Sequence, residues 1–239
     1  FAHKGGIHVS AVMKDSNMYE HIDPELVGNK QRVLVSDLSG KSNINFKANE
    51  LDIKYKDSKE ITGKLVSKVK DLEFEGYQFE AADASLELIL RELSGEYSPF
   101  FKVLDSKVHI SYDESGTEKA DATLKVLVGE DIEHTASDGD GPVDALNNAL
   151  RKALAMFFPE LKDVRLTDYK VRVLNEQEGT GAKVRVLIES AYEDDSWSTI
   201  GVSKNIIEAS RQALSDSFNY RLAKLSKWKI KNKKSLQLS

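Results

Sequence analysis

Four ring-bearing side chains near the start of the chain are its first candidates for chemistry. His3, His8, Tyr19 and His21 lie within 21 residues, and the chain has five histidines in all. An imidazole titrates near neutral pH, so His8 with a tyrosine can exchange protons with a substrate. A metal site needs three or four converging ligands, and His3 and His8 lie on either side of Gly5-Gly6. We therefore predict no metal here, and structural histidines remain the alternative to acid–base chemistry.

A second candidate is the Gly40-Lys41-Ser42 triplet, which follows a predicted strand over residues 32–38. A phosphate-binding P-loop also requires a glycine five residues before Gly40, and that position is Val35. We reject the P-loop, and we predict instead a helix that opens near Ser39 and is capped by serine hydroxyls.

Two further candidates are the segments TASDGDGPVDAL (135–146) and DDSWSTIGVSKNII (194–207). We interpret each as a strand-to-helix junction that brings glycines and small hydroxyl residues to a helix N-terminus. Free N–H groups and the helix dipole favour a carboxylate there, which suits a small amino or keto acid. Ordinary helix capping is an equally good interpretation of the same residues.

The composition limits the class of protein. Lys and Arg number 34 against 39 Asp and Glu, and this net charge of -5 argues against nucleic acid as the main partner. Cysteine is absent, which excludes disulfides and fits a cytoplasmic location. The sequence has no apolar run approaching about 18 residues, so we predict no membrane span.

The elements that must position these candidates change in type near residue 100. Apolar residues recur every three or four positions over residues 57–95, which predicts helices with a break at Gly76 and an end at Gly95. We predict that residues 94–99 form a linker. The following segments, 101–112 and 120–134, alternate apolar and polar residues as half-buried antiparallel strands do.

The strand and helix pattern then occurs twice. Residues 122–128 (ATLKVLV) match residues 182–188 (AKVRVLI) at an offset of 60, and residues 143–150 match residues 207–214 at an offset of 64. The predicted fold class is α+β: small helical subdomains, followed by two pseudo-symmetric ββα repeats in which antiparallel sheets pack with helices.

Several motifs resemble one family. FAHKGGIH (1–8), YEHIDPELVGN (19–29) and RVLVSDLSGKSNI (32–44) resemble the segment after the catalytic barrel of citramalate synthases, members of the 2-isopropylmalate synthase family. GDGPVDALNNAL (139–150) and WSTIGVSKNIIEASRQAL (197–214) resemble junctions of that family's regulatory domain. We therefore expect residue 1 to be an interior position of a longer chain whose (β/α)8 barrel is absent here.

The sequence patterns and the resemblance together predict four parts, of which the Lys-rich tail lies outside the resemblance. We predict a post-barrel linker subdomain (1–50), a helical subdomain and hinge (51–99), a regulatory and dimerisation domain (100–223), and a frayed Lys-rich tail (224–239).

The resemblance also implies an acyltransferase that condenses acetyl-CoA with a 2-oxo acid, pyruvate for citramalate synthases. The family binds a divalent metal in the barrel through a D-R-E-like motif and an H-x-H pair, and this sequence contains neither motif. We therefore expect no cofactor in this region and no activity from it alone. By motif position, His8 and Tyr19 correspond to residues that the post-barrel subdomain contributes to the partner's active site.

For the regulatory domain, the resemblance implies a homodimer that binds isoleucine or leucine as a feedback inhibitor. The predicted effector neighbourhood comprises Val128, Ile132, Gly139, Gly141, Pro142 and Val143 in the first repeat, and Ala191, Tyr192, Ile200, Gly201 and Ser203 in the second. The alternatives are the same region of a 2-isopropylmalate synthase, a purely structural dimerisation module, or a self-contained enzyme that uses His8 and Tyr19.

Overall fold

The chain divides into two compact units, Phe1–Ser98 and Pro99–Ser239. The structure is a computed structural model that describes residues 2–3, 26, 28, 32–33, 41–53 and 59–236. None of the helices in these ranges is long and apolar enough to cross a membrane.

The first unit is mainly helical where it is described. Its elements are a parallel pair, β1 (Ala2–His3) with β2 (Arg32–Val33), then α1 (Lys41–Glu50), α2 (Lys59–Glu75), a 3-10 turn (Phe79–Ala81) and α3 (Asp83–Leu93). Gly76 ends α2 at φ +115°, which confirms the predicted break. Gly95 follows α3 at φ +78°, and the Glu96 N–H reaches back 2.9 Å to the Arg91 carbonyl. A left-handed glycine with this bond is a standard helix C-terminus.

The apolar stripes of these helices form the core of the first unit. The fully buried side chains are Ile44, Ala48, Leu65, Val69, Phe79, Leu86 and Leu90. Arg91 is also buried, and it is satisfied by the Leu51 carbonyl at 2.9 Å and the Glu87 carboxylate at 2.6 Å. A buried guanidinium needs such partners, because an unpaired charge is costly away from water.

The second unit contains the same arrangement twice. The first repeat consists of β3 (Lys102–Tyr112), β4 (Glu118–Val128), β5 (Asp131–Gly139) and α4 (Pro142–Ala155). The second repeat consists of β6 (Arg165–Val173), β7 (Val184–Tyr192), β8 (Asp195–Ser203) and α5 (Ile206–Leu236). Each sheet is antiparallel with its strands in chain order.

The predicted α+β class with two antiparallel, helix-packed repeats is confirmed, but each repeat is βββα and not ββα. In the first repeat, the predicted strand over residues 120–134 contains a two-residue turn at Gly129-Glu130, so it continues as β5. In the second, most of the predicted junction 194–207 is β8. Residues 199–202 of β8 are all buried, so this strand lacks the alternation of apolar and polar residues by which the other strands were recognised.

The register shows how closely the repeats correspond. The β4–β5 hairpin closes at Val128 opposite Asp131, and the β7–β8 hairpin closes 64 residues later at Tyr192 opposite Asp195. A β-bulge interrupts the first strand of each repeat, between Val103 and Asp105 and again between Leu166 and Asp168. The strand offset of 60 expected from the sequence was therefore wrong by four residues.

Each helix packs on one face of its sheet. In the first repeat, Ala120, Ala122, Leu124 and Val126 of β4 face α4, whose buried residues are Ala145, Leu146, Ala149, Leu150, Ala153 and Leu154. In the second repeat, Val186 and Ile188 face Ala209, Ala213, Leu214 and Phe218 of α5. Burying one Leu or Ile side chain stabilises a fold by about 1.5–3 kcal/mol.

Two glycines allow the helices to approach their sheets. A Cβ at Gly139 would lie 2.2 Å from the Ala145 nitrogen, and a Cβ at Gly201 would lie 2.0 Å from the Ala209 oxygen. Ala145 and Ala209 are equivalent in the two repeats. These two predicted effector residues therefore have a packing role in the fold.

The last helix is longer than expected. We predicted that residues 224–239 form a frayed tail, but α5 continues to Leu236. Lysine is a good helix former, and neither Gly nor Pro follows Gly201, so nothing in the local sequence stops the helix.

Candidate functional site

The first strand-to-helix junction is held by an acid–amide pair. The Asp144 carboxylate accepts hydrogen bonds from the Asp140 N–H and from the Asn148 side chain, both at 3.1 Å. Asn148 also donates to the Asp138 carbonyl at 3.2 Å. The start of α4 is therefore tied to the end of β5 by side chains of the protein itself.

The second junction is built from the equivalent residues. The Glu208 carboxylate accepts from the Gln212 amide at 3.0 Å, and the Gln212 oxygen accepts from the Val202 N–H at 3.1 Å. Asn205 caps the helix, because its side-chain oxygen accepts from the Ile207 N–H at 2.9 Å. Both junctions thus place a carboxylate in the first helical turn and an amide one turn later.

The charge at these junctions bears on anion binding. Arg211 donates to both Glu208 oxygens, at 2.7 and 2.6 Å, and these bonds hold the pKa of Glu208 below its usual value. Asp144 and Glu208 already oppose the positive ends of their helix dipoles. At the first helix start an effector's carboxylate would meet the like charge of Asp144, whereas at the second the charge of Glu208 is already paired with Arg211. Because the protein's own side chains occupy both helix starts, the geometry favours the capping interpretation.

The predicted effector neighbourhood falls into two groups. Val128, Ile132, Ala191 and Tyr192 lie at the hairpin ends of the sheets, whereas Gly139, Gly141, Pro142, Val143, Gly201 and Ser203 lie at the junction ends. β5 and β8 have nine residues each, so the two ends are separated by more than about 20 Å at about 3.3 Å per residue. Ile200 is fully buried within the strand. Within one repeat, the two groups cannot line a single small site.

At the hairpin end of the second repeat, the predicted effector residue Tyr192 belongs to a cluster whose other members, Arg221, Lys224 and Asp195, sequence reasoning missed. The Arg221 guanidinium lies 3.6 Å from the centroid of the Tyr192 ring, which is cation–π distance. Lys224 pairs with Asp195 at 2.9 Å across the same end. The Arg221 Nε is buried and has no hydrogen-bond partner among the described residues. The only sequence signal was the three-residue spacing of Phe218, Arg221 and Lys224 along one side of α5.

The hairpin end of the first repeat is apolar and open to solvent. Ile132 is 61% exposed and Met156 is 72% exposed, and the partly buried Val128 adjoins the turn. Val128 and Met156 are equivalent to Tyr192 and Tyr220 of the second repeat. The two hairpin ends thus offer complementary surfaces, one apolar and one with a cation and aromatic rings.

The predicted catalytic residues His8 and Tyr19 lie outside the described residues. In the ranges that are described, no group of three or more His, Asp or Glu side chains is arranged to hold a metal ion.

Comparisons with known proteins find two family models that match consecutive parts of the chain. Residues 80–222 match the LeuA allosteric (dimerisation) domain, and residues 1–76 match the homocitrate synthase post-HMGL domain-like model. The chain is 52% identical over 94% of its length to an (R)-citramalate synthase of Geobacter sulfurreducens and 50% identical over 94% to one of Aquifex aeolicus. It is 28% identical over 95% to a 2-isopropylmalate synthase of Methanocaldococcus jannaschii.

The chain spans 43% of the length of each of the two citramalate synthases and 42% of the isopropylmalate synthase. The LeuA match covers more than half of the chain, including both βββα repeats except the part of α5 after residue 222. Through these residues, the chain belongs to the family of the LeuA allosteric (dimerisation) domain.

Proposed function

We propose that this chain is the regulatory and dimerisation region of a cytoplasmic acyltransferase that condenses acetyl-CoA with pyruvate to give citramalate. The observation that carries the proposal is 52% identity to an (R)-citramalate synthase over 94% of the chain. The 28% identity to a 2-isopropylmalate synthase makes 2-oxoisovalerate the second choice of substrate. A divalent metal would belong to the barrel of the longer protein.

The proposed effector is a branched-chain amino acid, with isoleucine ahead of leucine. The hairpin ends support this chemistry better than the junctions do. Arg221, beside the Tyr192 ring, can pair with a carboxylate, and Ile132 and Met156 offer an apolar surface for a branched side chain. In a homodimer, the hairpin end of the second repeat in one chain can supply the arginine, and the hairpin end of the first repeat in its partner can supply the apolar surface.

Calorimetric titration of this chain with isoleucine, leucine and valine tests the effector. A ligand at about 100 times its dissociation constant raises the free energy of unfolding by about 2.7 kcal/mol, so melting gives a second readout. We expect saturable isoleucine binding and at least tenfold weaker leucine binding. The reverse order would favour a 2-isopropylmalate synthase, and no binding of any of the three would favour a purely structural dimerisation module.

Two variants locate the effector. Arg221→Gln should weaken isoleucine binding at least tenfold because it removes the cation beside Tyr192. Lys107→Gln removes a positive charge from an exposed position in the middle of β3 and should leave binding unchanged. If Arg221→Gln binds isoleucine normally and a variant at a junction does not, the effector site lies at the junctions.

We propose that His8 and Tyr19 assist proton removal from the acetyl-CoA methyl group in the partner's active site. In the longer enzyme, His8→Asn should lower kcat by about 10²–10⁴-fold, the range for a lost acid–base group. Citramalate formation by this chain alone would instead establish a self-contained enzyme.

A further inference from the structure

The hairpin end of the second repeat already holds an ammonium group beside a carboxylate. Asp195 lies directly opposite Tyr192 where the β7–β8 hairpin closes, and the Lys224 ammonium of α5 lies 2.9 Å from an Asp195 oxygen. The same ammonium lies 4.9 Å from the centroid of the Tyr220 ring. Lys224 therefore has two partners, a carboxylate and an aromatic face, and each of them can hold a cation.

Three residues earlier on α5, Arg221 offers a group that accepts a carboxylate. Its guanidinium lies 3.6 Å from the centroid of the Tyr192 ring, and its buried Nε has no hydrogen-bond partner among the described residues. A guanidinium stacked on a ring keeps its N–H groups in its own plane, where they match the two oxygens of a carboxylate. Because a buried N–H without an acceptor is costly, an acceptor brought by a ligand is favoured at this position.

The two contacts between α5 and the hairpin together match an α-amino acid. Arg221 and Lys224 are three residues apart and so are neighbours on the helix surface. The effector's carboxylate can bind Arg221, and its ammonium can replace the Lys224 ammonium on Asp195. The exchange costs little, because the Lys224 and Asp195 side chains are 38% and 43% exposed and an exposed ion pair is weak. The Tyr220 ring remains as a contact for the displaced lysine.

We propose that Asp195 binds the ammonium group of the effector and that Lys224 occupies this position until the effector arrives. The inference rests on the proposed function, because it requires the effector's carboxylate to bind Arg221. It adds that the site selects an amino acid over the corresponding 2-oxo acid and that Lys224 competes with the effector. The hairpin of the first repeat closes at Val128 opposite Asp131, so it has the acid without the ring, and we expect one such site per chain.

Calorimetric titration of the intact chain with isoleucine and with 3-methyl-2-oxopentanoate, its 2-oxo analogue, tests this selectivity. The two compounds share the carboxylate and the branched side chain, and only isoleucine carries the ammonium. We expect the 2-oxo acid to bind at least tenfold more weakly. Equal binding of the two would overturn the ammonium site and leave the proposed effector in place, whereas no binding of isoleucine would overturn both.

Two variants at the ion pair should have opposite effects. Asp195→Asn should weaken isoleucine binding at least tenfold and abolish the preference over the 2-oxo acid. Asp194→Asn is its matched control, because it removes the same charge from the exposed neighbouring position in the hairpin turn.

Lys224→Gln frees Asp195, so it should tighten isoleucine binding by up to about fivefold without tightening binding of the 2-oxo acid. A purely structural ion pair would give weaker isoleucine binding in both Asp195→Asn and Lys224→Gln, and this result would overturn the proposal. Equal loss of isoleucine binding in Asp194→Asn and Asp195→Asn would also contradict it, because the effect would then come from general charge.

Discussion

The two βββα repeats share their register, bulges, hairpins and helix-packing glycines, yet they differ in what fills the space between sheet and helix. In the first repeat, Val126 of β4 faces α4 and Ala153 of α4 faces β4, and both residues are fully buried and apolar. The equivalent residues of the second repeat are Ser190 and Ser217, whose hydroxyls lie 2.7 Å apart. Backbone geometry is thus common to both copies, while side-chain chemistry is specific to each.

In the second repeat, the polar side chains between the sheet and the helix, here called the polar seam, are joined by hydrogen bonds. The Trp197 indole N–H donates to the Ser217 hydroxyl at 3.0 Å, and the Thr199 hydroxyl donates to the Ala213 carbonyl at 2.8 Å. Tyr169 reaches Ser210 in the same way at 2.9 Å. Because buried polar groups are costly when unpaired, this seam specifies one packing arrangement more strictly than an apolar seam does.

The largest expected effect tests what the repeats share. Gly201→Ala places a Cβ 2.0 Å from the Ala209 oxygen, and Gly139→Ala places one 2.2 Å from the Ala145 nitrogen. Since backbone cannot move aside cheaply, each should lower the free energy of unfolding by about 3 kcal/mol, the upper end for overpacking. Urea unfolding of each variant measures this change in the free energy of unfolding.

Gly181→Ala is the control for these glycine variants, because no atom lies within 4 Å of its Cβ position. It should change stability by less than about 0.5 kcal/mol. If Gly201→Ala lowers the free energy of unfolding only slightly and Gly139→Ala lowers it strongly, the two helices do not approach their sheets equally.

The next effect tests where the repeats differ. Ser217→Ala leaves the Trp197 N–H and the Ser190 hydroxyl without their partner, which should cost about 1–3 kcal/mol. Ser215→Ala is the matched control on the same helix, since its buried hydroxyl has no partner in the described residues. Removing that hydroxyl should be neutral or stabilising. If both variants lose the same free energy of unfolding, the hydroxyls of the polar seam do not form a connected network.

These contrasts show how much the sequence could predict. The periodicity of three and four residues predicted the helices, because an amphipathic stripe depends only on local spacing. The strand alignment was wrong by four residues because alternation has a period of two, and an even shift preserves it. The hairpin pairs fix the true offset, and these are contacts between separate strands.

Much of the candidate site depended on the same long-range information. Asp144 and Asn148 are one helical turn apart, so their pairing could be predicted from the sequence. The stacking of Arg221 on Tyr192 joins a helix to a hairpin 29 residues away, and the spacing of residues along α5 does not indicate which hairpin residue Arg221 contacts. Gly139 and Gly201 were predicted to line the effector site. In a sequence, a glycine at a junction looks the same whether its missing side chain makes room for a ligand or for a closely packed helix.

A smaller effect concerns the equivalent hairpin turns. Gly129 and Glu193 both adopt left-handed φ, +61° and +52°, which a residue with a side chain tolerates poorly. Glu193→Gly should therefore stabilise the chain by up to about 1 kcal/mol, and Gly129→Ala should destabilise it by about 1 kcal/mol. Thermal unfolding of both variants measures the pair. Destabilisation by Glu193→Gly would show that the Glu193 side chain makes a contribution larger than its backbone strain.

The smallest expected effect is a pH dependence confined to the second junction. Bonds from Arg211 lower the pKa of Glu208, so the folded state favours its ionised form. The stabilisation is then present above the pKa of the unfolded chain, about 4.3, and disappears as the pH falls through the lower folded value. Because Glu208 is 37% exposed, solvent screening limits the effect to a few tenths of a kcal/mol. Glu208→Gln should lower the free energy of unfolding by that amount at pH 7, and the difference should shrink as the pH falls below the pKa of the unfolded chain, with Glu130→Gln as an exposed control. A difference that does not shrink as the pH falls would show that Glu208 acts through its hydrogen-bonding shape and not through its charge, and the second junction would then depend on packing alone.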